Sequence, residues 1–255
     1  MANSQTDIPV RYFSGRDGVR LAYREMGEGR PLVLIHGYFS NAFVNWIRYG
    51  HAEKLAAAGF RVIMPDLRAH GDSDKPHDPA AYPKDVLADD GFALIDHLGL
   101  TDYDLAGYSL GARTSVRMMV KGARPRRAVL SGMGLEGILH TQGRGGYFHN
   151  VLTNLGTFPR GTSEWMTEAF LKTTGGDPQA LLLILNTFAD TSAQELAAIE
   201  TPILVVTGAD DDDNGSGEEL ARAIKGARFQ TIPGNHMNAV TKPELGQAIL
   251  GFLSA

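Results

Sequence analysis

A Gly-x-Ser-x-Gly stretch near the middle of the chain constrains the fold more than any other feature. The apolar pair Leu105-Ala106 leads into Gly107-Tyr108-Ser109-Leu110-Gly111, and a helix-forming segment follows directly. This order predicts a strand, a sharp turn and a helix, because the glycines allow a tight bend that exposes the Ser109 hydroxyl. Serine is a weak nucleophile at its free pKa, so chemistry at Ser109 requires a histidine and an acid elsewhere in the chain.

Strand and helix patterns alternate on both sides of this turn. An Asp-Gly turn between residues 12–13 and 19–23 indicates a β-hairpin. Further strand patterns cover residues 31–35, 60–64, 103–108, 127–131, 201–208 and 228–232. Helical patterns cover residues 45–58, 83–98, 110–121, 216–225 and 242–253. The alternation predicts an α/β fold with a doubly wound, mostly parallel sheet.

The alternation stops between residues 132 and 200. This stretch is rich in glycine and aromatic residues, and it has helical patches at 163–172 and 178–189. A connection of this length carries structure of its own. We therefore predict a core made of residues 1–132 and 200–255, with a small helical cap, residues 133–199, inserted after the sixth strand and folded over the carboxyl edge of the sheet.

Composition narrows the class of protein. The chain has 255 residues, of which 43% are hydrophobic, so it can bury one large core. A net charge of −5 with scattered basic residues argues against a nucleic-acid partner. The absence of cysteine excludes disulfides and thiolate nucleophiles. A polar N-terminus and the lack of a run of about 18 apolar residues predict a soluble, cytoplasmic protein that does not enter a membrane.

Four strand ends carry side chains suited to catalysis. In open parallel sheets, active residues gather where strands end at the carboxyl edge. His36 follows the third predicted strand, Ser109 the fifth, a run of four aspartates at 210–213 the seventh, and His236 the eighth. The order serine, acid, histidine along the chain, with the serine at a glycine-bounded turn, is a known arrangement for acyl transfer.

These segments resemble the motifs of the α/β-hydrolase superfamily, and within it the serine esterases and the cofactor-free haloperoxidase-like hydrolases with a small helical cap. The matching segments are residues 36–38, 66–73, 107–111, 207–211 and 234–236, which span nearly the whole chain. The resemblance implies that Ser109 is the nucleophile and His236 the general base. It also implies an oxyanion hole made by the backbone N–H groups of Tyr38 and Leu110.

The acid that orients the histidine has several candidates. Motif spacing selects Asp211, with Asp210 as the main competitor and Asp212 or Asp213 as weaker ones. Some members of the superfamily place the acid after the preceding strand, where Glu136 stands in this chain. We favour Asp211 on spacing alone.

Aromatic residues and methionines near the motifs are candidates for the walls of a substrate pocket. Aromatic residues of the insertion could equally form its own core. The pocket candidates are Phe39, Tyr108, Met133, Tyr147, Phe148, Trp165 and Met237.

The remaining histidines and acidic residues suggest no cofactor site. We expect no metal, because the Asp210-x-Asp212-x-Asn214 stretch has Ala221 where a calcium loop requires glutamate. We expect no cofactor either, since no dinucleotide-binding glycine motif follows a strand. His36 is expected to shape the oxyanion loop, whereas His51 and His70 are expected on the surface or in loops.

The function predicted by these features is hydrolysis of small or medium carboxylic esters through an acyl-enzyme, by a monomer or small homo-oligomer acting on a small-molecule substrate. A serine at the turn argues against the dehalogenase and epoxide-hydrolase branches, which need a carboxylate there. Lactone hydrolysis, carbon-carbon bond hydrolysis and perhydrolysis use the same triad and stay open. A ligand-binding, receptor-like protein on the same fold is the alternative of another class.

Overall fold

A computed structural model describes residues 8–255, so the first seven residues of the predicted core lie outside the described part of the chain. Eight strands form one sheet in the order β1-β2-β4-β3-β5-β6-β7-β8. The strands are β1 (Arg11–Ser14), β2 (Arg20–Met26), β3 (Arg30–Ile35), β4 (Phe60–Pro65), β5 (Asp104–Tyr108), β6 (Ala128–Ser131), β7 (Ile203–Gly208) and β8 (Arg228–Ile232). The β1-β2 and β2-β4 pairs are antiparallel, and every other pair is parallel. The predicted doubly wound, mostly parallel sheet is confirmed.

The helices of the described residues cover both faces of this sheet and the connection between β6 and β7. They are α1 (His51–Ala57), α2 (Val86–Leu98), α3 (Leu110–Val120), α4 (Leu135–Leu139), α5 (Thr141–Thr153), α6 (Ser163–Thr174), α7 (Pro178–Leu185), α8 (Ala193–Ala197), α9 (Gly217–Ala223) and α10 (Pro243–Leu253). Within residues 8–255, no helix combines the length and the apolar character needed to cross a membrane.

Successive residues of each strand point to opposite faces, which divides the core into two layers. In β3, Leu32 and Leu34 pack with side chains of α1 and α10. Their neighbours Val33 and Ile35 pack with side chains of α2 and α3 on the other face. The continuous apolar run of this strand therefore serves both layers, as expected for a buried parallel strand.

Two helix starts differ from the sequence prediction. The helix predicted over residues 45–58 consists of a π-helical turn, Phe43–Ile47, followed by α1 from His51. Gly50 separates the two pieces in the left-handed conformation, with φ of 76°. Helix α2 begins at Val86 instead of residue 83 because Asp85 also has positive φ, where its carboxylate pairs with Arg117 of α3.

Five helices, α4 to α8, lie between β6 and β7, and we call residues 132–202 the helical insertion. The patches predicted at 163–172 and 178–189 correspond to α6 and α7. Helix α5 was not predicted, because Gly143, Gly145 and Gly146 lower its intrinsic propensity. Tertiary packing overrides that preference, since Val151 and Leu152 near its end are buried in the core.

His51 is the first residue of α1 and is only 1% exposed, so the expectation of a surface or loop position was wrong for this residue. His70 lies in the loop after β4, as expected, but it is buried there, with 2% of its surface exposed. His51 Nε2 lies 2.7 Å from the carbonyl oxygen of Val240. His70 Nδ1 lies 2.8 Å from the carbonyl oxygen of Arg68. Both imidazoles therefore hold backbone segments together inside the fold.

Candidate active site

Ser109 stands at the turn between β5 and α3 in a strained backbone conformation, with φ of 54° and ψ of −113°. The flanking glycines are required by close packing. A Cβ added to Gly111 would lie 2.0 Å from the carbonyl oxygen of Ile35, and one added to Gly107 would lie 2.3 Å from the carbonyl carbon of Gly111. Strain of this kind persists only where the surrounding structure enforces it. The turn thus presents the Ser109 hydroxyl at the carboxyl edge of the sheet.

His236 lies in the loop after β8, directly beside this serine. The hydroxyl of Tyr108 donates to the carbonyl oxygen of His236 at 2.6 Å, so the residue before the serine also anchors the histidine loop. Gly234, with φ of 109°, allows the loop to turn. His236 Nε2 consequently lies 3.0 Å from Ser109 Oγ, within hydrogen-bonding distance.

Asp211 completes this hydrogen-bonded row. Its carboxylate oxygens lie 3.1 and 3.2 Å from His236 Nδ1, and its side chain is only 3% exposed. Asp210 and Asp212 are exposed to solvent, whereas Asp213 pairs with Arg144 of the helical insertion. Glu136 is in α4, next to Gly215. Of the five acids considered from the sequence, the structure therefore places Asp211 on the histidine.

Asp211, Asp213 and His236 form the one group within residues 8–255 whose ligand atoms could hold a metal ion, since these atoms lie within 4.8 Å of one another. The ligand atoms of this group already have hydrogen-bond or ion-pair partners inside the protein. His236 Nδ1 faces Asp211, and the Asp213 carboxylate faces the Arg144 guanidinium. Protein hydrogen bonds account for the cluster without an ion.

The loop after β3 borders the serine on its other side. A Cβ on Gly37 would lie 3.4 Å from Ser109 Cβ, and the Gly37 N–H donates to Asn45 Oδ1 at 3.1 Å. Leu110 is the first residue of α3, so its N–H has no acceptor within the helix. The predicted oxyanion donors, the N–H groups of Tyr38 and Leu110, thus belong to the two backbone segments that flank Ser109.

His36 fixes the shape of this loop. Its Nδ1 lies 2.8 Å from the carbonyl oxygen of Gly37, and its Nε2 accepts the N–H of Leu67 at 2.9 Å. One ring nitrogen therefore donates and the other accepts, which requires the neutral imidazole. Burial lowers the pKa of His36 to about 4, in keeping with that state. The side chain connects the loops after β3 and β4.

A cavity of about 90 Å³ opens beside Ser109, and we call it the main pocket. Four predicted wall residues line it, namely Phe39, Tyr108, Phe148 and Met237. A smaller adjoining space of about 20 Å³, which we call the side cavity, is lined by a fifth, Met133, and by Ser109, Leu110, Arg113, Arg144 and Asn214 among others. The serine thus faces both spaces.

The structure does not place the other two predicted wall residues, Tyr147 and Trp165, in either space. Thr167 and Phe170 present one face of α6 to the main pocket, and Trp165 is two positions before Thr167. At about 100° per residue, Trp165 points roughly to the opposite side of that helix. Tyr147 precedes Phe148 in α5, so its side chain points about 100° away from the Phe148 side chain around the helix axis. The Tyr147 hydroxyl lies 2.9 Å from Thr167 Oγ1.

Several residues of the site carry no sequence motif. Asn45, Arg113, Arg144 and Val240 line one or both spaces although none belongs to a recognisable pattern. Only Arg113 had an available signal, because it stands one helical turn after Ser109 and its side chain must lie close to the active turn.

Aromatic contacts fasten the helical insertion over the oxyanion loop. The Tyr38 hydroxyl donates to the carbonyl oxygen of Leu181 in α7 at 2.6 Å. The Tyr38 ring stacks on Phe39 and meets the Phe148 ring of α5 edge-on at 4.8 Å. A movement of α5 or α7 would therefore disturb the loop that carries the Tyr38 N–H.

Comparison with known proteins places this geometry in a family. Residues 30–133 match the family model described as the alpha/beta hydrolase fold. YisY, an AB hydrolase superfamily protein of Bacillus subtilis, is 36% identical over 43% of this chain, but the match covers only 39% of that protein. A non-heme haloperoxidase of Rhodococcus erythropolis is 25% identical over 96% of this chain and 99% of its own length.

A solved structure extends the likeness to the whole chain. The crystal structure of a hydrolase from Pseudomonas aeruginosa PA01 superposes with a TM-score of 0.75 and 27% identity, and it covers 99% of this chain and 100% of its own. These comparisons show that the chain has the α/β-hydrolase fold, and they support its place in the α/β-hydrolase superfamily.

Proposed function

We propose that this protein is a serine hydrolase that cleaves small or medium carboxylic esters through an acyl-enzyme on Ser109. One observation supports the proposal above all others. Ser109 Oγ, His236 and Asp211 form a continuous hydrogen-bonded row, with distances of 3.0 and 3.1 Å, at the wall of an apolar pocket. A nucleophile, a base within reach of it and a group that orients the base are the parts that acyl transfer requires.

The proposed reaction begins with proton transfer from Ser109 Oγ to His236 Nε2 as the oxygen attacks the ester carbonyl carbon. Asp211 accepts the Nδ1–H of His236, which holds the imidazole in the correct tautomer and stabilises the imidazolium. The N–H groups of Tyr38 and Leu110 receive the negative charge that develops on the carbonyl oxygen. The protonated His236 then donates its proton to the leaving alcohol.

Deacylation repeats these steps with water as the nucleophile. His236 Nε2 removes a proton from the water, the hydroxide attacks the acyl carbon, and Ser109 leaves with the proton returned by the histidine. The carboxylic acid is then released and Ser109 is restored. No cofactor or metal takes part in this scheme, because the charge changes are confined to the serine, the histidine and the oxyanion.

The dimensions of the site support a small or medium substrate. The main pocket measures about 90 Å³, and its wall is formed largely by rings and aliphatic groups such as Phe39, Val44, Phe148 and Val240. Such a wall favours a short apolar chain over a long or highly polar group. We expect activity to decline when the group that occupies the main pocket exceeds a few carbons.

A panel of p-nitrophenyl esters from acetate to octanoate tests the proposal. The wild type should turn over the short esters, and Ser109→Ala should lower kcat by a factor of at least about 10³ because the nucleophile is lost. Ser254→Ala, at an exposed position after α10, is the matched control and should retain wild-type rates. Undiminished turnover by Ser109→Ala would refute the nucleophile. Binding of a ligand without turnover of any ester would instead favour the receptor-like alternative.

A further inference from the structure

Arg113 is a buried cation without an ion-pair partner among the described residues. It lies on α3 one turn after Ser109, it is 6% exposed, and it lines the side cavity. No carboxylate within residues 8–255 forms an ion pair with it. Burying a charge without a counter-ion is costly, so such groups are normally paired. An unpaired guanidinium beside the nucleophile therefore requires an explanation.

The hydrogen bonds that Arg113 forms use only part of the donor capacity of its guanidinium group. Nε and Nη2 both donate to one acceptor, the carbonyl oxygen of Gly137, at 3.0 and 2.8 Å. The Phe188 ring covers one face of the guanidinium, with its centroid 4.7 Å from Cζ. Because a guanidinium carries five N–H donors, several have no acceptor in the described part of the chain. A planar anion such as a carboxylate matches this unused donor set.

The electrostatic surroundings also favour an added negative charge. Burial, reinforced by the neighbouring Arg144, lowers the pKa of Arg113 to about 10, and Asp190 only partly offsets this. Arg144 projects from α5 into both the main pocket and the side cavity, where it pairs with Asp213 and lies over the Phe148 ring. Two cations thus face the side cavity, and of these Arg144 alone forms an ion pair within residues 8–255.

The positions of the two spaces indicate which part of an ester meets these cations. His236, which would protonate the leaving alcohol, lines the main pocket together with Met237 and Val240. None of these three residues lines the side cavity, which instead contains Leu110 and Arg113. The alcohol part would therefore occupy the main pocket, and the acyl part would extend from the serine toward Arg113.

We propose that the substrate of this site is an ester whose acyl part carries a carboxylate, bound by Arg113 with Arg144 beside it in the side cavity. Half-esters of short dicarboxylic acids have this chemistry. The inference rests on the proposed function, because it assumes an acyl group on Ser109. It goes further by naming Arg113 as the residue that determines substrate charge.

Matched ester pairs test the charge preference. Monoethyl succinate, glutarate and adipate would each be compared with the neutral ethyl ester of the same acyl length, for example ethyl pentanoate for monoethyl glutarate, by following ethanol release. We expect kcat/KM for the best half-ester to exceed that of its neutral partner by about tenfold or more, as for charge-assisted hydrogen bonds to a carboxylate. If no half-ester exceeds its partner, the inference is overturned.

The isomer 3-butanoyloxypropanoate carries its carboxylate on the alcohol part, so it tests the assigned orientation. We expect this compound to show no advantage over a neutral ester of equal length. If it is preferred over monoethyl glutarate, the carboxylate lies on the other side of the serine and the assignment to Arg113 is wrong.

Two variants and one control connect the preference to the named side chains. Arg113→Gln keeps an N–H donor for the Gly137 carbonyl but removes the charge, and it should lower the half-ester to neutral-ester ratio of kcat/KM by about 10- to 100-fold. Arg144→Gln, at a partly exposed position, should lower the same ratio and covers the case in which Arg113→Gln does not fold. Arg222→Gln changes the net charge equally on the exposed face of α9 and should leave the ratio unchanged.

Binding to an inactive protein separates this inference from the proposed function. The half-esters would be titrated calorimetrically into Ser109→Ala, with and without Arg113→Gln. Binding that weakens by about 10- to 100-fold in the double variant supports the anion site even if no ester is hydrolysed. Equal binding by the two proteins refutes it even if neutral esters are hydrolysed through Ser109.

Discussion

Single residues decide which of four consecutive aspartates can assist His236. Asp211 directs both carboxylate oxygens at Nδ1, whereas Asp210 is exposed and Asp213 is drawn to Arg144 on the helical insertion. A carboxylate oxygen of Asp213 lies within 4.8 Å of a ring nitrogen of His236, and the ion pair with Arg144 offsets its charge there. The division of roles among these acids thus depends on the insertion as well as on the loop.

The two leading acid candidates can be compared by conservative substitution. Asp211→Asn should lower kcat by roughly 10⁴-fold, because an amide can no longer hold the required tautomer or stabilise the imidazolium. Asp210→Asn should stay within about threefold of wild type, since the Asp210 carboxylate is exposed and solvent screens its charge. Turnover of a short p-nitrophenyl ester, measured on proteins of equal thermal stability, provides the comparison. A larger loss at position 210 would contradict the assignment.

Among single residues, the sequence correctly indicated those that belong to motifs. It did not indicate residues whose role depends on the direction in which the side chain points. Spacing alone favoured Asp211, and the structure places it on His236. Trp165 has the right composition for a pocket wall, but the rotation of α6 directs it elsewhere. The position of Arg113 one helical turn after Ser109 indicates that it lies near the active turn, but only the folded chain shows that no carboxylate within residues 8–255 forms an ion pair with it.

At the scale of structural elements, one buried arginine forms ion pairs that connect three segments distant from one another in sequence. Arg68, in the loop after β4, is 1% exposed and pairs with Asp90 of α2 and with Asp17 in the turn between β1 and β2. Two of its nitrogens donate to the two carboxylate oxygens of Asp90 at 2.9 and 2.7 Å. This ion-pair cluster fixes the antiparallel hairpin against the parallel part of the sheet.

Removal of that arginine should therefore be costly. Arg68→Met leaves the Asp90 carboxyl buried without its partner, and we expect the free energy of unfolding to fall by about 3–5 kcal/mol. The double variant Arg68→Met/Asp90→Leu should recover part of this loss, because the acid that remains without a partner, Asp17, is 39% exposed to solvent. Urea unfolding measures both, with Arg222→Gln as the control for an exposed ion pair. A loss below about 1 kcal/mol in Arg68→Met would show that the cluster contributes little.

Element boundaries were predictable where local pattern and packing agree. Each strand found in the structure lies at or within a few residues of its predicted position, because continuous apolar runs have few alternatives in an α/β chain. The predicted helix over 45–58 was broken instead at Gly50, and α5 formed despite three glycines in its first half. The break at Gly50 follows from its backbone conformation, and α5 is stabilised by tertiary contacts. Sequence periodicity predicts neither effect.

At the scale of the whole molecule, the fold holds His36 and His70 in its interior as neutral imidazoles. The rings of His36 and His70 are 5.1 Å apart, and both side chains are buried. Burial lowers the pKa of His70 to about 3, and the nearby His36 acts in the same direction because two protonated imidazoles would repel each other. In addition, His70 Nε2 has no hydrogen-bond partner within the described residues.

These histidines make stability depend on pH. An unfolded histidine has a pKa of about 6.5, so the unfolded chain binds more protons than the folded one between about pH 6.5 and pH 4. The free energy of unfolding should therefore decrease as the pH falls through this range. His70→Leu removes one such site, and it should reduce the slope of stability against pH by as much as about 1.4 kcal/mol per pH unit.

Urea unfolding at several pH values between about pH 7 and pH 4.5 measures this slope for both proteins. Leucine at position 70 loses the contact of Nδ1 with the Arg68 carbonyl and the ring contacts with His36 and Tyr38. It also removes the buried Nε2 that has no partner among the described residues, so the variant is expected to fold. An unchanged slope would show that His70 is not held neutral by the fold.

The central claim is that Ser109 is the nucleophile, and covalent labelling tests it most directly. A fluorophosphonate reacts with an activated serine hydroxyl, and intact-protein mass spectrometry followed by peptide mapping locates the adduct. We predict one adduct per chain, on Ser109, and no adduct in Ser109→Ala under the same conditions. Labelling of Ser109→Ala at the wild-type level, or an unlabelled wild type that is otherwise folded, would contradict the account.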